Sequence, residues 1–217
     1  EDSDLDPGTL NSWLKSQPDG YIRNGLVNWL ALSRLSRLAT ANNPSFTHDA
    51  LEYRRVNGEN KPQLTQDLAN GMPGILEEPG HFVVGKGTNV DTFNINDPLY
   101  DRSTLNDGYG NTFLSLGRFV PSNTDLSYIM LVINQDVNIA LKDSANNSIG
   151  ESFIQSPLDN DEGAGVSGEA LKVLYLPKPD SGNYSVNISS PTNQNYKIET
   201  YLYDENGNAK IATESGI

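Results

Sequence analysis

The sequence predicts an α+β protein, with helices and an antiparallel sheet in its first part and an all-β sandwich in its second. Three observations lead to this prediction. Apolar residues recur at helical spacing before residue 40, and two strongly β-forming runs follow between residues 81 and 96. Short alternating runs separated by turn residues then recur after residue 125, with no helical periodicity.

Three helices are expected in the first part. Asp6 suits a helix cap, Pro7 suits the first helical position, and apolar residues from 10 to 14 then share one face. A second helical pattern runs from 26 to 38 and stops before the break at 42–44. The third helix is expected at 61–70, begun by a proline and closed by a glycine.

The rest of the first part predicts strands. The run from His81 to Gly85 and the run from Val90 to Asn96 form a hairpin around a turn at 87–89. The segment 100–109 is expected to be a loop. Further strands are expected at 53–56, 72–76 and 113–119.

The stretch 121–125 resembles a linker, which places a domain boundary between residues 121 and 122. The first domain is therefore expected at 1–121 and the β-sandwich at 122–217. Strands of the sandwich are expected at 129–133, 137–141, 170–176, 184–188 and 196–203.

The composition excludes several classes of function. A formal net charge of −13 disfavours binding to nucleic acid or to anionic lipid. No apolar run is long enough for a membrane helix, and we expect no cofactor. The chain has neither an initiator Met nor a signal peptide, so we expect it to be processed, truncated or excised. The abundance of Asn, Asp, Gly, Ser and Thr suggests a secreted bacterial protein, extracellular or at the cell surface.

His81 and Asp97 are the candidate catalytic residues. If residues 88–90 form the hairpin loop, His81 lies directly opposite Asp97, with Cβ atoms roughly 5 Å apart. A carboxylate at this distance can orient an imidazole that acts as a general base. A two-residue loop would instead pair His81 with Asn96 and turn Asp97 away. Spacing alone favours a plainer interpretation, in which His81 is a half-buried polar residue and Asp97-Pro98 opens a turn.

The order of motifs suggests a family. The run Asp6-Pro7-Gly8-Thr9-Leu10-Asn11-Ser12-Trp13-Leu14 precedes Gly20-Tyr21 and Asn28-Trp29. This order resembles the segment after the nucleophile helix in bacterial papain-like cysteine peptidases of the bacteriocin-processing-like, or double-glycine peptidase-like, branch.

The later motifs resemble the same family around its His and Asp. They are Gly71-Met72-Pro73, Gly80-His81-Phe82-Val83-Val84 and Ile95-Asn96-Asp97-Pro98. The resemblance covers about 100 residues and implies a truncated papain-like core in the first domain. It also implies that His81 is the general base and that Asp97 orients it. The sandwich in turn resembles the accessory domains that follow secreted bacterial peptidases.

The chain departs from this family in one decisive respect, since it contains no cysteine. The thiolate is the nucleophile in this chemistry, so the chain as written is expected to be inactive. Amide hydrolysis of a peptide or protein substrate would need a partner chain or an N-terminal segment that supplies the cysteine. The alternatives are a non-catalytic pseudo-peptidase that binds peptides or glycans, or a surface adhesion protein.

Acidic turns offer a weaker hypothesis of calcium binding. Asp159 and Asp161 lie in one acidic run, and Asp204 begins another. Neither run fits the spacing of an EF-hand loop, and acidic turns are usually solvated.

Overall fold

The computed structural model describes residues 6–42, 49–122, 125–155 and 169–217. These ranges contain helices and antiparallel strands, so the predicted α+β class is confirmed. The helices are α1 (Pro7–Ser16), α2 (Trp29–Asn42) and α3 (Lys61–Ala69), with a short 3-10 helix at Arg23–Gly25 and a helical turn at Asn106–Tyr109. The strands are β1 (Leu51–Asn57), β2 (Gly74–Glu78), β3 (His81–Asn89), β4 (Thr92–Asn96), β5 (Ser115–Pro121), β6 (Tyr128–Asn134), β7 (Asn138–Lys142), β8 (Ser148–Ile149), β9 (Glu151–Gln155), β10 (Leu171–Pro177), β11 (Ser185–Ser189), β12 (Tyr196–Tyr203) and β13 (Ala209–Gly216).

The chain divides into two compact units. Residues 47–123 form the first, which we call the sheet unit. Residues 1–46 and 124–217 together form the second, which we call the sandwich unit. This division differs from the predicted one, because the N-terminal helices group with the sandwich and leave the sheet unit as a single continuous segment.

The sheet unit is a five-stranded antiparallel sheet with the order β1-β5-β2-β3-β4. Alternate residues of its strands point to one face and form a closed apolar core there. Leu64 of α3 covers this core and is fully buried. The core consists of Leu64, Leu76, Val83, Phe93, Ile95, Leu105, Phe113 and Leu116.

Two opposed glycines allow α3 to approach the sheet closely. Gly74 of β2 pairs with Gly85 of β3. A Cβ atom on Gly74 would lie 2.8 Å from Cδ1 of Leu64, inside van der Waals contact. A bidentate ion pair then fixes the helix, because Arg118 of β5 contacts both carboxylate oxygens of Asp67 at 2.5 and 2.7 Å.

The sandwich unit contains two antiparallel sheets that share one apolar core. Their strand orders are β13-β12-β6-β10-β9 and β11-β7-β8. Ile129, Leu131 and Ile133 of β6 meet Leu141 of β7 in this core. The five strands expected after residue 125 are all present, but β8, β9 and β13 were not predicted.

Buried polar contacts explain why the first two helices belong to the sandwich unit. Arg34 of α2 forms a bidentate ion pair with Asp19, at 2.6 and 2.8 Å, and also donates to the carbonyl oxygen of Gly207. Asn28 donates to the hydroxyl of Tyr203 on β12 at 2.6 Å. Separating the helices from the β12–β13 hairpin would leave these buried groups without partners.

None of the helices in the described ranges is long and apolar enough to cross a membrane.

Candidate active site

The structure brings the two predicted residues together in the sheet unit. Nε2 of His81 lies 2.8 Å from Oδ1 of Asp97. The Asp97 side chain is inaccessible to solvent, whereas 14% of the His81 side chain is exposed. The pair therefore combines a shielded carboxylate with an imidazole that solvent can reach.

The hairpin that joins these residues differs from the predicted one. Its loop is Val90-Asp91, since Asn89 pairs with Thr92. A two-residue loop was expected to turn Asp97 away, but a bulge at Lys86 shifts the register by one residue. The shift returns Asp97 to the face of His81 as its diagonal neighbour rather than its direct partner. The expectation of direct opposition was therefore wrong, although the side chains meet.

Hydrogen bonds hold the Asp97 carboxylate in its ionised form. Its Oδ1 accepts from the backbone amides of Leu99 and Tyr100, and its Oδ2 accepts from the hydroxyl of Tyr109. Burial raises the pKa of Asp97, but the hydrogen bonds from Tyr109, the two amides and His81 outweigh burial and lower this pKa to about 2. The carboxylate is charged throughout the physiological range.

The segment after β4 returns along that strand and so delivers Tyr109 to Asp97. The amide of Ile95 donates to the carbonyl oxygen of Ser103, and the amide of Leu105 donates to that of Phe93. Leu105 is fully buried in the core of the sheet unit and anchors this return. The predicted loop at 100–109 thus forms one wall of the site.

Aromatic rings flank the imidazole. The His81 ring lies 5.7 Å from the Tyr100 ring, edge to face, and 6.4 Å from the Tyr109 ring, nearly parallel to it. The guanidinium of Arg102 lies over both tyrosine rings, at 4.3 and 4.6 Å from their centroids. Gly108 makes room for it, because a Cβ there would lie 2.5 Å from Cζ of Arg102.

A fixed carboxylate also determines which nitrogen of His81 is free to act. Asp97 is ionised and can only accept a hydrogen bond, so it favours the tautomer that carries its proton on Nε2. Nδ1 then carries the lone pair. In the part of the chain that the structure describes, Nδ1 has no hydrogen-bond partner, so it is the nitrogen that can accept a proton.

Sequence reasoning did not identify Glu78. This residue ends β2 and pairs with His81 across the turn Pro79-Gly80, where Gly80 has a φ of 68°. Only 4% of Glu78 is exposed, and within the described ranges its Oε1 has no hydrogen-bond partner. A signal was available, because Gly74, Leu76 and Glu78 alternate on the core-facing side of one strand.

The acidic turns were the other candidates from the sequence. Asp159 and Asp161 lie outside the described residues, as does His48, the second histidine of the chain. Both Asp204 oxygens accept hydrogen bonds within their own turn, from Asn206 and Asn208. Among the described residues, no group of three or more His, Asp or Glu side chains could hold a metal ion.

Comparisons of the chain with protein-family models, curated proteins and solved structures find no match.

Proposed function

We propose that the chain is the C-terminal portion of a cysteine-peptidase-like protein and that its sheet unit supplies the base and the orienting carboxylate for amide hydrolysis. The contact between His81 and Asp97 is the observation that supports this proposal most directly. The Asp97 carboxylate is inaccessible and accepts four hydrogen bonds, so it is held in one orientation against the partly exposed imidazole. The order of motifs in the sequence, which resembles papain-like peptidases, supports the same chemistry.

The proposed reaction passes through a thioester. His81 removes the proton of a cysteine thiol through Nδ1, and the thiolate attacks the amide carbonyl carbon. The imidazolium then donates this proton to the leaving amine as the carbon–nitrogen bond breaks. Water next attacks the thioester, with His81 as the base, and the carboxylic acid and the free thiol are released. Asp97 orients the ring and stabilises its charged form.

The thiol must come from outside this sequence, which contains no cysteine. A preceding segment or a partner chain is the proposed source, and the chain alone is expected to be inactive. We further propose an extracellular or cell-surface location in a bacterium, on the basis of the composition. The resemblance to the accessory domains of secreted peptidases agrees with this location.

The first test is the native mass of the protein isolated from its source. We expect a mass well above 23.7 kDa, or a co-purifying polypeptide that contains cysteine. A native mass equal to that of this chain alone, with no cysteine-containing partner, would contradict the peptidase proposal.

The second test is substitution of the proposed base within that cysteine-containing protein. His81→Ala should reduce amide hydrolysis about a thousandfold or more, because no other group in the described site can take the proton. His48→Ala is the matched control, since the chain contains only these two histidines, and it should retain activity. Equal activity in the two variants would rule out the assignment of His81.

A second candidate function is non-catalytic binding of a glycan by the sandwich unit. A cavity of about 300 Å³ in this unit is lined by hydroxyl and amide side chains, one aromatic ring and the apolar residues Val137, Ile188, Pro191 and Ile217. Such groups suit the hydroxyl groups and apolar faces of sugars, and the lack of cysteine also favours a binding role. The polar and aromatic residues of the lining include Ser190, Thr192, Asn193, Gln194 and Tyr196.

The test of this second function should use the whole chain, because residues 1–46 and 124–217 form one unit. We expect retention on insoluble bacterial cell wall and a loss of binding in Gln194→Ala. His81→Ala should bind as the unmodified chain does, because it lies in the sheet unit. Absence of any retention would contradict the glycan-binding function.

A further inference from the structure

Glu78 is a buried carboxyl group that the proposed chemistry does not use. It is 4% exposed, and its Oε1 lacks a hydrogen-bond partner within the described ranges. A buried polar atom in this state is costly and rare in native proteins. The neighbouring residue shows the contrast, since Glu77 points to the opposite face and contacts Arg55 and Ser115.

The position of Glu78 couples it to the candidate site. Glu78 and His81 are the closing pair of the β2–β3 hairpin and face the same side of the sheet. Their Cβ atoms are therefore roughly 5 Å apart. The carboxylate of Asp97, which contacts the far side of the same imidazole, also acts on Glu78 electrostatically.

The charged groups that face Glu78 from each neighbouring element are largely negative. Asp97, which follows β4, and Glu59, which precedes α3, both act on Glu78 electrostatically. Glu59 is partly neutralised by Lys61 at 2.7 Å. Directly opposite Glu78 on β3 lies His81, a group that can become positive. A second negative charge at Glu78 is therefore unfavourable unless the imidazole carries a proton.

The burial of Glu78 and the charges around it determine its ionisation. Burial raises the pKa of Glu78 to about 8, and repulsion from Asp97 and then Glu59 contributes to the shift. Glu78 is thus neutral at neutral pH. Among the described residues, Asp97 then supplies the carboxylate charge that contacts the imidazole.

We propose that Glu78 is a third ionisable group of the site and a positioning residue for the proton on His81. While Glu78 is neutral, a single carboxylate stabilises the imidazolium, and the neutral ring remains available as a base. When Glu78 ionises, two carboxylates flank the ring and favour its protonated form. The three groups then titrate as one coupled system rather than as separate acids. The use of this coupling in catalysis rests on the proposed function, but the coupling itself does not.

The experiment is a pH titration of the whole ¹³C-labelled chain by NMR. The Glu78 carboxyl carbon is assigned by its absence in Glu78→Gln, and the His81 ring signals by comparison with His48→Gln. We expect the Glu78 carbon to titrate near pH 8 and the His81 ring signals to show an inflection at the same pH. In Glu78→Gln this inflection should disappear, which a purely structural role of the residue would not cause.

Two results would overturn the proposal. One is a Glu78 carbon that titrates below about pH 6, as an ordinary carboxyl group does. The other is a His81 titration curve that is identical in Glu78→Gln.

A second pair of variants keeps the proposal testable if Glu78→Gln does not fold. Asp97→Asn should move the Glu78 midpoint to lower pH, because it removes the nearest negative charge. Glu59→Gln, the matched control, should move it less and in the same direction. An unchanged midpoint in Asp97→Asn would overturn the proposal.

The outcome is separable from that of the proposed function. Coupled titration together with full activity in His81→Ala would uphold the coupling and reject the peptidase role. Uncoupled titration with loss of activity in His81→Ala would do the reverse.

Discussion

The two units each contain an aspartate whose side chain is fully inaccessible, and they pair it in opposite ways. Asp19 in the sandwich unit binds Arg34 through two short hydrogen bonds, and the Arg34 side chain is 8% exposed. Asp97 in the sheet unit binds His81 through one hydrogen bond, and the His81 side chain is 14% exposed. The first partner is a guanidinium that is always charged, whereas the second is an imidazole with a nitrogen that can accept a proton.

This difference distinguishes an ion pair that stabilises the fold from a pair whose imidazole is accessible to a reactant. The Arg34 guanidinium donates to Asp19, Gln17 and the carbonyl oxygen of Gly207 within the sandwich unit. Among the described residues, Nδ1 of His81 has no hydrogen-bond partner, and the carboxyl group of Glu78 lies beside the ring. A buried aspartate alone therefore does not indicate a functional site. The decisive features are a partner that can titrate and an atom of that partner that is open to a reactant.

The largest effect is expected when the structural pair is broken. Arg34→Met leaves Asp19 buried without a cation, which should destabilise the sandwich unit by about 4 kcal/mol. Both tryptophans, Trp13 and Trp29, lie in this unit, so urea unfolding followed by tryptophan fluorescence reports on it directly.

The control for this prediction is an ion pair of the same unit whose cation is exposed. Lys197 contacts Glu199 at 2.8 Å and is 45% exposed. Lys197→Met should therefore cost under about 1 kcal/mol. Equal costs for the two variants would show that the pair of Asp19 and Arg34 is no more than a surface interaction.

The next largest effect is on the stability of the sheet unit, which the substitution is expected to raise rather than lower. Between pH 4.5 and about 8, folded Glu78 keeps a proton that the unfolded chain has lost. The unfolded state binds fewer protons in this range, so the stability of the wild type falls as pH rises. Glu78→Gln cannot ionise and should gain several kcal/mol of stability on the wild type across this window. Urea unfolding followed by NMR signals of residues 47–123 measures the difference at each pH.

A matched variant tests whether the burial of Glu78 causes this pH dependence of stability. Glu59 has a side chain that is 36% exposed, and its ion pair with Lys61 lies at the surface. Glu59→Gln should change the pH dependence by less than about 1 kcal/mol. If the free energy of unfolding of Glu78→Gln changes with pH as that of the wild type does, then Glu78 ionises normally in the folded state.

Local signals in the sequence predicted much of the fold. The Asp6 carboxylate accepts from the amide of Thr9 at 2.7 Å, so the predicted cap of α1 is confirmed. The proline near the start of α3 and Gly71 after its end set that helix within one residue. Signals of this kind act within one turn of backbone, and a single sequence displays them directly.

The grouping of elements and the register of the hairpin could not be predicted in the same way. The hydrogen bond from Arg34 to the carbonyl oxygen of Gly207 joins segments more than 170 positions apart. Nothing in the local pattern around α2 indicates this partner. The bulge at Lys86 is equally hidden, because one extra residue in a strand leaves the alternation on either side intact.

The candidate site was predicted in part. His81 and Asp97 were proposed from the resemblance of the motifs, together with a spacing argument whose loop was wrong, and the bulge compensated for that error. Tyr109, Tyr100 and Arg102 were not identified, because they reach the site through the return of the chain along β4. Whether this site hydrolyses amides stays a prediction.

The smallest effect is expected at Asp97 itself. The folded pKa of Asp97, about 2, lies below its ordinary value of 3.8 because hydrogen bonds to Tyr109 and the backbone outweigh the opposing effect of burial. The contribution of its ionised form is therefore complete above pH 4 and is lost as pH falls toward 2. Asp97→Asn should cost about 2 kcal/mol at pH 6 and almost nothing at pH 2.

The companion variant is Tyr109→Phe, which removes one donor to the ionised carboxylate. It should lose about 1 kcal/mol over the same acid window, measured by the NMR signals of the sheet unit. A cost of Asp97→Asn that does not change with pH would mean that the carboxylate only fills space. The contrast with Asp19 would then disappear, since both aspartates would be structural and the open nitrogen of His81 would have no charged partner behind it.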